Sequence, residues 1–221
     1  MAEVVQPELH THILLVEGAE DFDFFLALLK ELGLEKTFFV YKYCGRDNLA
    51  QGLSIALQDT RFEDLRHLVI IRDADFNTDA MSSIRSAIDL FNKETGSALS
   101  MPVRQMEPEG DAPEISAIIL PDENTEGMLE DLVLEALSKD IVYDCINDYF
   151  TCLEDRGLTL NKYVLSKAKV RVFIAGKVVD DAGTSKDRGS WEMRYAVRSN
   201  WWSWDSPVFD DVKSFLRQLA S

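Results

Sequence analysis

Segments of strand length and of helix length alternate along the N-terminal part of the chain, and this pattern constrains the fold more than any other feature. Three runs have the length and apolar content of buried strands: HILLV (12–16), TFFVYKY (37–43) and HLVIIRD (67–73). Each is followed by a segment with apolar residues at helical spacing: DFDFFLALLKELGL (21–34), RDNLAQGLSIALQD (46–59) and NTDAMSSIRSAIDLFNKETG (77–96). The alternation predicts βαβ units and an α/β, Rossmann-like fold with a mainly parallel sheet and flanking helices.

The pattern changes in the second half of the chain. MPVRQMEP (101–108) and EISAIILP (114–121) flank a turn sequence, which predicts an antiparallel hairpin at one edge of the sheet. NTEGMLEDLVLEALSKD (124–140) has the spacing of an amphipathic helix, and the rest of the chain reads as helical and rich in tryptophan. We therefore predict an α/β core at 1–135 and a helical C-terminal extension at 136–221 that packs on it.

Composition favours a cytoplasmic protein with a substantial core. The chain has 221 residues, of which 46% are hydrophobic, and no stretch approaches the roughly 18 apolar residues of a membrane span. Its start has neither a basic segment nor an apolar run, so no export signal is expected. Three cysteines without a CxxC spacing suggest neither a disulfide framework nor a cysteine zinc site.

The net charge restricts how the chain can meet nucleic acid. The 39 acidic residues outnumber the 23 basic ones, giving a formal net charge of −16. Proteins that hold nucleic acid by electrostatics alone are usually basic, which argues against a passive coat. A divalent metal changes this expectation, because carboxylates that repel phosphate can bridge to it through Mg²⁺ or Mn²⁺. Acidity can also serve solubility alone.

Acidic residues stand where two predicted strands end. Glu17 follows the first strand, and Asp73 and Asp75 end the third. In an open α/β sheet, ligands bind outside the carboxyl ends of the strands, so these acids are expected to converge there. Carboxylate oxygens are the ligands that Mg²⁺ prefers, which predicts a metal site. The alternative is that the acids cap the helices that follow them.

These same residues carry a family resemblance. VEGAED, followed after the second strand by IIRDAD, resembles the TOPRIM domain of topoisomerases, bacterial primases, recombination-repair proteins and OLD-type nucleases. In that superfamily a glutamate ends the first strand and a D-x-D ends the third, matching Glu17 and Asp73/Asp75. YCGRDNL, TEGMLEDLVLEAL and SPVFDDVKSFL further resemble small bacterial TOPRIM-like proteins related to the OLD group.

The resemblance implies a larger set of site residues. OLD-type nucleases add an acid one helical turn after the first glutamate, further glutamate on a later helix, and a lysine beyond the core. The implied metal ligands are Glu17, Asp21, Asp73, Asp75, Glu126 and Glu130. The implied catalytic residues are Glu17, Asp73, Asp75 and Lys169, with Lys167 as the other candidate lysine. The chain departs from the pattern in having Asp21 where glutamate is usual, and in lacking a large basic stretch.

Two other segments allow a functional and a structural interpretation. In YCGRDNL, Gly45 and Arg46 suit a phosphate-binding loop or an ordinary strand-to-helix turn. Near the C-terminus, tryptophans lie among arginines and could stack unpaired bases or pack the tail onto the core. The residues concerned are Trp191, Trp201, Trp202, Trp204, Arg188, Arg194 and Arg198.

The sequence therefore predicts an Mg²⁺- or Mn²⁺-dependent phosphoryl-transfer protein that acts on nucleic acid, foremost a nuclease, with DNA favoured over RNA. A non-catalytic TOPRIM module that uses the metal to dock nucleic acid or a partner protein has the same acids. A small-nucleotide phosphotransferase or hydrolase is a third candidate. No G-x-x-x-x-G-K-[ST] loop occurs, so any ATPase would be a separate chain. Assembly into a homo-oligomer is left open.

Overall fold

Four parallel strands form the centre of the structure, a computed structural model. It describes residues 10–59, 64–76, 79–180, 196 and 202–221, without the side chains of residues 46, 162, 163 and 178–180. The strands are β1 (His12–Val16), β2 (Phe38–Lys42), β3 (His67–Asp73) and β4 (Glu114–Leu120). They lie in the order β2-β1-β3-β4, and every neighbouring pair is parallel. The predicted α/β class is confirmed.

Helices connect and cover these strands. In the described part of the chain they are α1 (Ala19–Leu32), α2 (Leu49–Gln58), α3 (Ala80–Thr95), α4 (Leu129–Ala136), α5 (Ile141–Asp155), α6 (Lys162–Asp180) and α7 (Asp210–Leu219). One turn of 3₁₀ helix, Arg46–Asn48, leads into α2. None of the described helices has the length and apolar character needed to cross a membrane.

The two faces of the sheet are covered by different helices, because successive strand residues point to opposite sides. Leu14 and Val16 of β1 belong to a core that also contains residues of α1 and of α4 to α7. Ile13 and Leu15 belong to a second core, which contains residues of α2 and α3. All of β1 is buried, and its four apolar side chains alternate between the two cores. This double coverage explains the continuous apolar strands of a parallel sheet.

The aromatic residues of the C-terminal part pack on α1. Trp202 and Trp204 are buried, and the ring centroid of Phe24 lies 5.3 Å from that of Trp204 and 5.7 Å from that of Phe209. For these two tryptophans the packing interpretation is confirmed. Trp191, Trp201, Arg188, Arg194 and Arg198 lie outside the described residues. The division into two parts near residue 135 stays a prediction, and α5 to α7 share one core with the sheet.

The predicted antiparallel hairpin is reduced to a single bridge. β4 pairs in parallel with β3 over its whole length. Before it, Glu109 and Ile115 exchange two backbone hydrogen bonds of 3.0 Å, the one antiparallel bridge of this segment. Residues 101–108 contain no strand. Met106 has a φ of 56°, which breaks an extended backbone, and prolines at 102 and 108 have no N–H to donate to a ladder.

Close packing of α2 on the loop after β2 depends on Gly52. A Cβ atom at this position would lie 2.4 Å from Cβ of the buried Tyr43. We expect Gly52→Ala to destabilise the protein by about 1–3 kcal/mol through this clash, although alanine favours helices. Urea unfolding should show the loss, whereas Gln51→Ala, at the exposed neighbouring position, should change stability by less than about 0.5 kcal/mol. Equal effects of the two substitutions would contradict the proposed close packing.

His12 joins the start of β1 to the end of α7. Its side chain is buried and its Nε2 lies 2.9 Å from the carbonyl oxygen of Leu219, to which it donates. The ring also stacks on His67, with centroids 4.7 Å apart. Burial lowers the pKa of His12, and the nearby His67 lowers it further, while the contact with Leu219 acts in the opposite direction. The neutral ring is therefore the form that the folded protein prefers.

This lowered pKa predicts a pH-dependent contribution to stability. A histidine whose folded pKa lies below its unfolded value of about 6.5 takes up its proton more readily when unfolded, so acid weakens the fold. We expect the difference in unfolding free energy between wild type and His12→Gln to shrink as pH falls from about 7.5 to about 5.5. Glutamine keeps a donor for Leu219 but does not titrate. A difference that stays constant in urea titrations across this range would refute the assignment.

Candidate functional site

The parallel register brings the ends of β1 and β3 to one edge of the sheet. Val16 pairs with Ile71, so Glu17, directly after β1, and Asp73, the last residue of β3, leave the sheet on the same side. The N-termini of α1 and α4 lie beside them. Together with α6 they form a cleft of about 580 Å³. Its lining residues are Glu17, Gly18, Ala19, Glu20, Asp21, Asp23, Asp73, Glu130, Lys167 and Arg171.

Carboxyl groups dominate this cleft. Six of its lining side chains are acidic, and two, Lys167 and Arg171, are basic. The two basic residues stand four positions apart on α6, a spacing that places them on one helix face. Four of the six predicted metal ligands lie together in this cleft: Glu17, Asp21, Asp73 and Glu130.

Two of the acids also cap helices. Oδ2 of Asp21 accepts a hydrogen bond of 2.8 Å from the Gly18 amide at the start of α1. Oδ1 of Asp73 accepts one of 2.9 Å from the Leu129 amide, at the start of α4. The alternative prediction was that strand-end acids cap the helices that follow them, but Asp73 caps α4, a helix distant in sequence. Each carboxyl group has a second oxygen, so a cap does not use all of its capacity as a ligand.

Lys167 lies between two of the acids. Its Nζ is 2.6 Å from Oε1 of Glu130 and 3.3 Å from Oε2 of Glu20. The Glu130 side chain is only 2% exposed, and its buried Oε2 has no hydrogen-bond donor in the part of the chain that the structure describes. Glu130 also contacts the Glu20 carboxyl group, a contact that becomes a hydrogen bond only when one of the two acids is protonated. The ammonium group of Lys167 thus contacts two neighbouring carboxyl groups.

The crowding of like charges changes the acidities. Burial raises the pKa of Asp73 well above its ordinary value, and the charges of Asp21 and Glu130 raise it further. Burial is also the main cause of the raised pKa of Asp21. Burial and the contact with Glu20 raise the pKa of Glu130 to about 7. Burial acts to raise the pKa of Glu20 as well, but its contacts with Glu130 and Lys167 outweigh burial and lower it.

The chemistry of the cleft fits a hard divalent cation, because its polar groups are predominantly carboxylates and a buried oxygen of Glu130 has no donor from any described residue. The side chains as they lie, however, do not form a complete metal site. Within the described ranges, no three Asp, Glu, His or Cys side chains are gathered closely enough to hold a metal ion. Lys167 instead supplies a positive charge to Glu20 and Glu130. A cation in the cleft would therefore require side-chain movement.

Asp75 and Glu126 lie outside this cleft. Both line a separate cavity of about 130 Å³, on the side of α4 where Asp131 and Ser166 lie. Asp75 has a φ of 53° and exchanges backbone hydrogen bonds with Gly127, which turns the chain away from the direction of β3. Glu126 is exposed and precedes α4, so it does not share a helix face with Glu130 as predicted. The predicted six-ligand set is thus divided between two cavities.

The predicted lysine and phosphate loop are also placed differently. Nζ of Lys169 donates to Oδ1 of Asn147 on α5 at 2.9 Å, whereas Lys167 enters the cleft. The Gly45 amide donates to the carbonyl oxygen of Glu17 at 3.2 Å and is engaged in this contact. Gly45 has a φ of 106°, which favours glycine in the turn before α2. The side chain of Arg46 lies outside the described residues.

Sequence reasoning missed several residues at or near this cleft. Glu20 and Arg171 line it, and their signals were an acid beside Asp21 and a base one helical turn after Lys167. Tyr43 and Arg72 are buried nearby, and the Tyr43 hydroxyl and Arg72 Nε have no hydrogen-bond partner within the described ranges. Burial is the main cause of the raised pKa of Tyr43, with Glu17 a further cause. Arg72 lies within β3 and Tyr43 in the loop after β2, and neither position in the sequence indicated a functional role.

The raised pKa of Asp73 predicts that its charge costs stability. A carboxyl group whose folded pKa is raised favours folding below its unfolded pKa, and this contribution is lost as pH rises through the folded value. At about pH 8, with EDTA present, we expect Asp73→Asn to be more stable than wild type, because it removes a buried like charge and keeps an oxygen for Leu129. Asp73→Ala should be about 1 kcal/mol less stable than Asp73→Asn because the cap is lost.

Urea unfolding measures these differences, with Asp144→Asn at an exposed position of α5 as the matched control. The control should change stability by less than about 0.5 kcal/mol. An Asp73→Asn variant less stable than wild type would show that the ionised carboxyl group is favourable where it lies.

Comparison with known proteins places the chain in a family. Three structures of the C-terminal region of the OLD protein of Xanthomonas campestris pv. campestris, phased with platinum, mercury and iodine, are similar to it. They are 14–15% identical in sequence, with 95% of this chain and 93–96% of theirs covered and TM-scores of 0.43–0.44. No curated protein matches significantly. The sequence profile described as "Protein of unknown function (DUF3226)" matches residues 11–221, and the chain therefore belongs to the DUF3226 family.

Proposed function

We propose that this protein is an Mg²⁺- or Mn²⁺-dependent phosphoryl-transfer enzyme acting on nucleic acid, and specifically a nuclease. The observation that carries the proposal is the convergence of Glu17, Asp21, Asp73 and Glu130 at the carboxyl ends of parallel strands. Ligands of open α/β sheets bind at this edge. The motif resemblance to TOPRIM domains of the OLD group supports the same chemistry.

The residues of the cleft have distinct parts in this proposal. Glu17, Asp73 and Asp21 supply hard oxygen ligands from two strand ends and one helix start. A divalent ion bound by them would polarise a phosphoryl oxygen and make water a better nucleophile. Arg171 and Lys167, on the α6 side of the cleft, are positioned to offset the charge of a bound phosphate.

The balance of charge makes the proposed activity dependent on cation binding. Six acids against two bases repel a phosphate from the cleft when no cation is present. A divalent cation bound there would offset part of this negative charge and let carboxylates and phosphate share one site. DNA is the first polymer to test, and a separate ATPase chain or a second copy of this protein remains a proposed partner.

A second candidate function is a non-catalytic module that binds a nucleic-acid end or a partner protein. It is favoured by the separation of Asp75 and Glu126 from the main cleft and by the capping contacts of Asp21 and Asp73. With fewer acids available, the cleft would hold one cation and dock a phosphate without cleaving it. Turnover, as opposed to binding alone, separates the two candidates.

We expect purified protein to cleave labelled DNA, in single- or double-stranded form, when Mg²⁺ or Mn²⁺ is present and not in EDTA. Glu17→Gln and Asp73→Asn should each reduce the rate on the order of 10²-fold or more, because each removes a charged ligand from the cleft. Glu94→Gln, at an exposed position of α3, is the matched control and should cleave like wild type. RNA substrates tested in parallel identify the polymer.

The controls separate the candidate functions. Cleavage that survives in both cleft variants would come from a contaminant or from another site, and the nuclease proposal would fail. Metal-dependent binding of DNA without cleavage, by folded wild-type protein, would favour the binding module. Neither binding nor cleavage in any metal would exclude both.

A further inference from the structure

Lys167 contacts two carboxyl groups at once, whereas an ordinary ion pair joins one cation to one anion. Its Nζ contacts Oε1 of Glu130 at 2.6 Å and Oε2 of Glu20 at 3.3 Å, so one ammonium group is shared by two carboxyl groups. Both acids line the cleft that carries the strand-end residues Glu17 and Asp73. The lysine therefore supplies positive charge to part of the carboxylate set that a divalent cation would use.

The Glu130 side chain is too buried to turn away from this contact, whereas the Lys167 side chain is partly exposed. The Glu130 side chain is 2% exposed, and an ionised carboxylate buried to this degree needs a cation or a donor beside it. Lys167 is 35% exposed, and its long side chain can turn towards solvent. The adjacent Ser166 hydroxyl donates to Oδ1 of Asp131, so α6 has a contact with α4 that does not depend on Lys167. Exchange of cations at Glu130 therefore needs no movement of the helices.

We propose that Lys167 is a built-in counter-cation of the metal-free cleft, and that a divalent cation binds at Glu130 and Glu20 only by displacing its ammonium group. The proposal rests on the proposed metal-dependent function and adds how the site is regulated. Two cations on the same pair of carboxylates repel each other, so bound metal and the Lys167 contact exclude one another. The buried Oε2 of Glu130, which has no donor among the described residues, is the oxygen left available to the incoming ion.

Charge removal at Lys167 tests the exchange directly. Lys167→Gln keeps a hydrogen-bond donor for Glu130 but has no charge, and Lys167→Arg keeps the charge. Lys177→Gln is the matched control, because Lys177 also lies on α6 and forms a partly buried ion pair, with Asp140 at 2.6 Å, away from the cleft. Glu130→Gln reports whether the ion binds at Glu130. The probe is Mn²⁺ alone, measured by isothermal titration calorimetry at low ionic strength and at about pH 8, above the pKa of Glu130, so that protons compete less with the metal.

We expect Lys167→Gln to bind Mn²⁺ at least about tenfold more tightly than wild type, because a competing unit charge is removed at close range. Lys167→Arg and Lys177→Gln should bind within about twofold of wild type, and Glu130→Gln more weakly. Thermal unfolding adds a readout independent of catalysis. Without metal, Lys167→Gln should melt below wild type, and Mn²⁺ should raise its melting temperature more than that of wild type.

The possible results distinguish this inference from the function on which it rests. Folded Lys167→Gln that binds Mn²⁺ no more tightly than wild type would overturn the exchange and leave a metal site in place. Tighter binding that is unaffected by Glu130→Gln would place the ion elsewhere and also overturn it. If neither wild type nor Lys167→Gln binds Mn²⁺ while both are folded, the proposed metal-dependent function fails as well.

Discussion

In-register parallel pairing of β1 with β3 is the constraint on which the rest of the structure depends. It places the ends of both strands at one edge, so Glu17 and Asp73 meet although they are far apart in sequence. The same pairing requires both faces of the sheet to be covered, which the two cores achieve with different sets of helices. The helices that cover one face also begin at the cleft, so α1 and α4 contribute Asp21 and Glu130 without additional structure.

The gathering of acids opposes the stability that this packing provides. Burial and like charges raise the pKa of Asp73, which means that its ionised form is held at a cost in free energy. Three local features offset part of this cost: the backbone amides at the starts of α1 and α4, the positive ends of those helices, and the ammonium group of Lys167. A cluster of charged groups that costs folding free energy, with only part of that cost offset, is typical of a functional site.

The sequence predicted what depends on burial and local spacing. The bounds of β1 and β3 match the predicted runs, because strands covered on both faces must be continuously apolar. The convergence of Glu17 with Asp73 followed from the parallel sheet alone. Features that depend on backbone turns could not be predicted from the sequence. Neither the φ of 53° at Asp75 nor the start of α4 after Glu126 leaves a clear sequence signal. The choice of Lys167 over Lys169 likewise depends on how α6 is rotated against α4, which only packing decides.

The contact between His12 and Leu219 has a consequence for how the protein is made. It links β1 to α7 across 207 positions of the chain, and the core on that face of the sheet contains residues of both elements. During synthesis, β1 leaves the ribosome before α7, so the cover that α1 and α4 to α7 give to this face of the sheet is completed only when α7 has emerged. Contacts between such distant segments form slowly, because the long intervening loop must be closed. The nascent chain therefore exposes the part of this apolar core that α7 will cover until α7 has emerged, a state in which chaperone binding and aggregation compete with folding.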